Sequence, residues 1–499
     1  MQILIDTNIF IYRENNKEVK KDLQDLLRTL QDFEKKIVIH PLSIEEINKD
    51  KDKDRRKIAL SKIRTYSLLD KPPIYDPDSN LIPISIRSNE HDYVDNSLLF
   101  VVLKDAVSFL LTEDKGIHKK AYKMNISDRV LSIEQALDVF RPAKIPFTPP
   151  AINEDKIHNL NLEERIFDSL REDYPDFNEW FAEKSRTGRD CLVYHNPDKS
   201  LGALLIYKME KEPIELEKKV LSAKNRLKIS TLKVSSTGNK IGEFFIRWTT
   251  NFALKNNLTE IYLTHFIKTD DYFVDLIEEY GFFNLGKNKR GENVFLKYLR
   301  PSSDLVEGVM SKGSVQVAKK FYPKFYDGHE VKKFIVPIKP EYHEKLFSDD
   351  KRQSTLYEHE KGFIVEGNAI KKAYLSHSRI TKISSGDLLI FYRSIDSEIT
   401  VIGVVEKVLA NLKDADDIMK NVGKRTVYRP EEIDEILRKG NVIVLLFIFS
   451  NYIPHPQNLD KLKALNVLRG APQSIQQITQ DAYLRLKKAG GIDESFTIN

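Results

Sequence analysis

At about 150 residues per domain, a chain of 499 residues implies about three domains and excludes a single small module. With 41% hydrophobic and 31% charged residues it can bury a sizeable core, so neither whole-chain disorder nor a collagen-like repeat describes it. The net charge of +5 is too thinly spread to argue for nucleic acid by itself, and the one cysteine, Cys191, excludes an intrachain disulfide or a cysteine zinc cage, which suits a reducing cytoplasm.

Two stretches read as linkers: Arg141 to Asp155, which carries four prolines, and the polar, Gly-containing Pro301 to Gly328. They leave three segments, 1–140, 156–300 and 330–490. The longest apolar run, Val442 to Phe449, has the length of a buried strand and falls short of the ~20 residues that span a bilayer. The opening MQILIDTNIF shows neither a basic leader nor a cleavage site, so a cytoplasmic protein away from membranes is expected.

In the first segment, the apolar strands QILID, KIVIH and VSFLLT alternate with amphipathic helical patterns over Val19 to Lys35 and Glu90 to Lys104. This alternation predicts a Rossmann-like parallel α/β sheet. Asp6 directly follows the first strand, and Thr112-Glu113-Asp114 follow the strand Phe109 to Leu111, so both groups fall at the carboxyl ends of strands, where open α/β sheets place their sites. Glu46 or its neighbour Glu45, and Asp95 or Asp92 one helical turn before it, can join them. Carboxylates gathered so closely require a cation to stay ionised, and hard oxygen donors select Mg²⁺ or Mn²⁺. Each acid taken singly can also be a helix cap. The strings ILIDTNIFIY, VDNSLLF and LLTED followed by GIHKKA resemble the PIN-domain ribonuclease family over this whole segment. The resemblance implies a metal-dependent endoribonuclease whose ligands are Asp6, Glu46, Asp95 and Asp114, supported by Thr7, Asn8 and Thr112. It also implies a homodimer.

The second segment holds a hairpin, CLVYHN and LGALLIYKME, and the strand Leu227 to Val234, which runs into the turn Ser235 to Gly242. A helix follows from Glu243, with Phe244, Phe245, Trp248 and Phe252 at helical spacing. Strand, Gly-containing turn and helix N-terminus together can hold a pyrophosphate on free N–H groups, although such a joint is more often plain connection. With the strand IYLTHF and the closing LIEEYGF, the segment resembles the GNAT acetyltransferase family, an α+β fold. The resemblance implies acetyl-CoA held along Leu232 and Val234 and at Gly238, Asn239, Lys240, Ile241 and Gly242. The turn departs from the family's pattern at Thr237 and Lys240. Where the family often has a tyrosine acid this chain has Ile277, with Tyr272 and Tyr280 nearby.

The third segment begins basic and aromatic, from Lys319 to Tyr326 and then Lys332-Lys333-Phe334, a mixture suited to single-stranded RNA unless the aromatics face a core. The runs Val336-Pro337-Ile338, Tyr342-His343 and Ser385 to Arg393, followed by the strand Ile399 to Val405, resemble PUA-like β-barrels of the ASCH and EVE kinds. That resemblance implies an RNA reader, tRNA included, with Phe391, Tyr392 and Arg393 at the binding face. Taken together, the order PIN, GNAT, PUA-like implies an RNA-directed nuclease and acetyltransferase of the stress, toxin–antitoxin or RNA-processing kind. The alternatives are a non-catalytic RNA-binding or antitoxin-like regulator, and an acetyltransferase acting on RNA or a protein.

Overall fold

The computed structural model describes residues 2–14, 21–32, 36–49, 53–63, 66–77, 92–140, 151–196, 198–235, 240–268, 271–347, 363–364, 369–378, 380–410, 412, 414–422, 425, 427–428 and 430–498. The chain divides into two compact units, residues 1–147 with 411–442, and residues 148–410 with 443–499.

The first unit runs β1 (Gln2–Ile5), α1 (Thr7–Glu14), α2 (Lys21–Asp32), β2 (Lys36–Ile39), α3 (Pro41–Asn48), α4 (Lys53–Ile63), β3 (Ser67–Leu68), α5 (Tyr93–Leu103), β4 (Phe109–Leu111), α6 (Lys115–Lys123), β5 (Val130–Leu131) and α7 (Ile133–Phe140). Its strands pair in the order β3-β2-β1-β4-β5, all parallel, as the alternating sequence predicts. Ile3, Leu4 and Ile5 of β1 are completely buried, which is why a central parallel strand reads as an unbroken apolar run. Capping fixes where helices start: His40 Nδ1 accepts from Leu42 N at 3.2 Å with Pro41 at the first turn of α3, and Asp114 Oδ1 accepts from Gly116 N at 2.7 Å and Ile117 N at 3.1 Å at the start of α6. Two helices from far along the chain, Ala415–Val422 and Pro430–Arg438, belong to this unit. The first buries Ile418, Met419 and Val422, and Lys420 Nζ reaches Asp105 Oδ1 at 2.6 Å.

The second unit begins with β6 (Ala151–Lys156), α8 (Asp168–Asp173), α9 (Phe177–Arg186), β7 (Asp190–His195), β8 (Leu201–Glu210), β9 (Ile214–Glu215), β10 (Val220–Leu221), β11 (Arg226–Val234), α10 (Ile241–Lys255), β12 (Glu260–His265), α11 (Tyr272–Glu279), β13 (Phe282–Lys287) and β14 (Asn293–Tyr298). It continues with α12 (Ser303–Met310), α13 (Ser314–Lys320), β15 (Phe325–Tyr326), β16 (Lys333–Ile338), α14 (Pro340–Leu346), β17 (Phe363–Ile364), β18 (Lys371–Ser376), β19 (Leu388–Arg393), β20 (Glu398–Leu409), β21 (Ile443–Asn458), α15 (Leu459–Ala464), β22 (Gln476–Ile478), α16 (Gln480–Gly490) and β23 (Thr497–Ile498). One sheet has the order β13-β14-β12-β11-β8-β7-β6-β17, antiparallel except for β11 beside β12. The other has the order β18-β21-β20-β19-β16-β22, antiparallel except for β16 beside β19.

One continuous core serves both sheets: Phe244, Tyr280 and Phe295 from the first and Tyr322, Ile390 and Tyr392 from the second belong to a single buried cluster. Glu243 Oε2 accepts the backbone N–H groups of Ile370 at 3.2 Å and Lys371 at 3.3 Å, so the start of α10 and the start of β18 are joined directly.

Two expectations, both of linkers, need correction. The stretch read as a linker up to Asp155 contains β6, whose polar side chains hide a strand paired through its backbone with β7. The stretch from Pro301 to Gly328 holds α12, α13 and β15. For the expected barrel, the described residues give a six-stranded sheet that ends on β18 and β22, with no closure among them.

Candidate functional site

The parallel pair β11 and β12 is clamped at one end and open at the other. Arg226 Nε lies 2.6 Å from Glu260 Oε2 with both side chains buried, and the guanidinium also donates to the carbonyls of Glu212 at 3.0 Å and Ser222 at 2.9 Å. A buried pair of charges needs such supplementary hydrogen bonds to be tolerated. From this clamp the register runs Arg226 opposite Glu260 to Ile229 opposite Leu263 and stops there. The ladder between β11 and β8 is irregular at the same place, between Ile229 and Thr231. A bulge bends its strand and raises the local twist. Beyond it β11 continues to Val234, paired with β8 alone, and β12 continues to His265, paired with β14 alone. The strands therefore diverge, and Thr231 to Val234 turn toward the gap an edge with which β12 does not pair, a setting for an extended, amide-bearing ligand.

The end of β11 points toward α10. Lys240 precedes that helix in the left-handed region at φ 54°, and among the described residues no side chain caps the helix. The first N–H groups of α10, from Ile241, Gly242 and Glu243, thus have no helical acceptor and favour an anion. A side chain at Gly242 would come within 2.7 Å of Leu276 Cδ2, so the glycine lets α10 and α11 approach. Of the residues expected at this site, Leu232, Val234, Lys240, Ile241 and Gly242 lie around the divergence and the helix start. Gly238 and Asn239 lie outside the described residues, as does Thr237.

At the mouth of the divergence, His265 Nε2 is 2.6 Å from Asp271 Oδ2, and Phe273 meets the imidazole edge-on at 5.1 Å. Burial pushes the Asp271 carboxyl up, but the hydrogen bond from His265 and the N–H groups of Lys268 and Val274 outweigh it and hold Asp271 below the usual carboxylate range. Next to it, Glu292 is buried and accepts from Tyr174 Oη at 2.9 Å, Thr264 Oγ1 at 2.8 Å and Asn288 Nδ2 at 2.7 Å. An open cleft of about 390 Å³ lies here, lined by Asp173, Tyr174, Pro175, Asp176, Phe266 and Arg290. Sequence reasoning missed this group; the signal was the histidine ending the strand IYLTHF six residues before Asp271.

In the first unit, Asp6 and Asp114 stand at the carboxyl ends of neighbouring strands β1 and β4, where the strand order reverses. Burial lifts Asp6 to about 6; the Thr112 hydroxyl, donating at 2.7 Å, pulls it down, while Glu46, Asp95 and Asp114 push it further up. The four expected acids therefore share one electrostatic neighbourhood. Glu46 is half-buried and accepts from Thr7 Oγ1 at 2.5 Å, whereas Glu45 is exposed, as is Asn8. Each acid is already engaged: Asp114 caps α6, Glu46 holds Thr7, and Lys120 Nζ sits 3.0 Å from Asp95 Oδ2 and 3.2 Å from Asp92 Oδ1. Burial raises Asp95 as well, with Lys120 opposing it. Among the described residues, no three His, Cys, Asp or Glu side chains converge on a point that could hold a metal ion. The donors suit Mg²⁺ or Mn²⁺ chemically, but their present arrangement does not fit one.

The basic, aromatic stretch of the third segment is core. Phe321, Tyr322, Phe325 and Phe334 are buried, and so are Phe391 and Tyr392, because β19 lies between β16 and β20 inside its sheet. The lysines are spent internally: Lys319 Nζ bridges Glu279 at 2.9 Å and Glu406 at 2.7 Å, and Lys324 Nζ donates to the Glu494 carbonyl at 2.6 Å. Arg393 pairs with Asp396 at 2.5 Å. These aromatics cannot stack on bases as the sequence led us to expect. Among the described residues no helix is long and apolar enough to cross a membrane.

No protein-family model matches the chain, and no curated protein matches it. Among solved structures it is similar to ASCH from Zymomonas mobilis, at 14% identity, covering 32% of this chain and 94% of that one with a TM-score of 0.24. It is similar to an acetyltransferase of the GNAT family from Listeria monocytogenes at 16% identity, covering 27% and 83% with a TM-score of 0.21. A third similarity, to an aminoglycoside 6'-acetyltransferase type Ii, is at 18% identity and covers 30% and 98% with a TM-score of 0.22.

Proposed function

We propose that the second unit binds acetyl-CoA and transfers its acetyl group to an amine. The observation that carries this reading is the divergence of β11 from β12 beside the start of α10. An extended pantetheine arm carries amides that suit the edge of Thr231 to Val234 that β12 leaves, and a pyrophosphate matches helix N–H groups and Lys240. Calorimetry tests it: saturable heat with acetyl-CoA in the range ~1 μM–1 mM is expected, and absence of heat throughout that range refutes it. RNA, tRNA included, and a protein amine are the acceptor classes to assay.

A second reading concerns the first unit, where Asp6 and Asp114 stand at neighbouring strand ends with Glu46 and Asp95 close by, the set of acids a metal-dependent RNA hydrolysis would use. RNA cleavage that needs added metal and disappears in Asp6→Asn with Asp114→Asn supports it; equal cleavage by both proteins removes it. Light scattering of the full chain tests the homodimer.

A further inference from the structure

Acetyl transfer from a thioester ends with a sulfur that must receive a proton, and the geometry around α11 restricts which side chain can supply it. Ile277 is completely buried, and its hydrocarbon side chain has no proton to give. The tyrosines of this region do not serve either. Tyr280 is completely buried, with its ring 6.0 Å from Tyr322, and Tyr272 lies exposed at the start of the helix.

His265 is the last residue of β12, two positions beyond Leu263, where the pairing with β11 ends. Its side chain is 24% exposed, its Nε2 is engaged by Asp271, and its Nδ1 has no partner among the described residues. With Asp271 ionised, Nε2 carries the hydrogen of that bond, which fixes the ring and leaves Nδ1 to exchange a proton with a bound ligand. Lys268 gives its backbone N–H to Asp271 at 3.2 Å while its amine is held by Asp173 at 2.7 Å; Glu292 is bound to Thr264, the preceding residue; Asp275 follows one turn into α11.

We infer that His265, oriented by Asp271, is the proton donor to the departing thiolate of acyl-CoA. The inference rests on the acetyl-CoA reading above. The amine nitrogen bonds to the carbonyl carbon, the carbon–sulfur bond breaks with its electron pair passing to sulfur, and the proton on His265 Nδ1 follows. The proton released by the amine goes to solvent, from which His265 is recharged.

The test uses CoA itself, so no acceptor need be known. The thiolate of bound CoA is followed by its ultraviolet absorbance as pH is raised, in the wild type, in His265→Gln and in Asp271→Asn. A cationic imidazole beside the sulfur lowers its ionisation by about one pH unit or more in the wild type relative to His265→Gln. Asp271→Asn, in which the ring is free to turn, falls between them. Tryptophan fluorescence checks that the variants fold, and calorimetry checks that each binds CoA. Identical titrations in the wild type and His265→Gln overturn the inference while leaving the acetyl-CoA reading intact. A wild type that binds no CoA removes both.

Discussion

Replacing Gly281 by alanine tests whether the two sheets of the second unit share one core. Gly281 follows α11 with φ +86°, and a Cβ there would lie 1.7 Å from the Lys320 carbonyl oxygen and 2.7 Å from its carbon. The obstacle is backbone, and Lys297 Nζ holds the same region through the carbonyls of Tyr280 at 2.7 Å and Lys320 at 3.4 Å. A left-handed alanine costs about 1–2 kcal/mol, and overpacking a buried contact costs about 1–3 kcal/mol more. Gly188 provides the control, since it also has positive φ, at +60°, but nothing lies within 4 Å of its Cβ. Gly188→Ala therefore bears the left-handed cost alone, about 1–2 kcal/mol. Both tryptophans, Trp180 and Trp248, belong to the second unit, so urea unfolding followed by fluorescence reports on that unit. The expected losses are about 2–5 kcal/mol for Gly281→Ala and about 1–2 kcal/mol for Gly188→Ala. Losses that agree within about 0.5 kcal/mol refute the close contact with Lys320.

Asp6 makes the first unit sensitive to pH. Its folded value of about 6 lies above the usual 3.8, so folding favours the protonated acid: this contribution is fully present below about pH 4 and lost as pH rises through 6. Asp6→Asn should stabilise the first unit at pH 7 by about 3 kcal/mol and flatten this dependence, read by amide hydrogen exchange in β1 and β4. Lys297 behaves oppositely: burial, with Lys320 nearby, lowers it to about 7, so its penalty is greatest at low pH and fades as pH rises toward 10.5. Lys297→Met should therefore raise stability by about 3 kcal/mol more at pH 6 than at pH 9 in urea titrations. Burial pushes the Cys191 thiol up to about 12, so the folded protein should resist iodoacetamide at pH 8 and take up one equivalent only after unfolding.

The central strands were legible because burial on both faces writes itself as an apolar run, as in Ile3-Leu4-Ile5 and Phe109-Leu110-Leu111. Two-residue strands such as β3, with both side chains exposed, pair through the backbone and leave no pattern. The acids at the strand ends could be read from position; that Lys120 holds Asp92 and Asp95 could not, because the contact joins separate helices. Lys319 to Tyr326 shows why composition fails for stacking: an aromatic run looks alike whether it meets bases or a core, and only the packing of α13 and β15 decides. The divergence of β11 was equally hidden, since a register break depends on the partner strand.

The discontinuous make-up of the first unit has a consequence for biosynthesis. Residues 1–147 leave the ribosome before the ~260 residues that separate them from their own helices at 411–442. At the usual elongation rate of ~5–20 residues per second, that interval is roughly 10–50 s. During it, the surface that later receives Ile418, Met419 and Val422 is uncovered, while the intervening chain begins to form a different unit. The nascent α/β sheet thus waits for a closing piece made after most of the other unit, which makes it a natural client for chaperones that shield apolar surface.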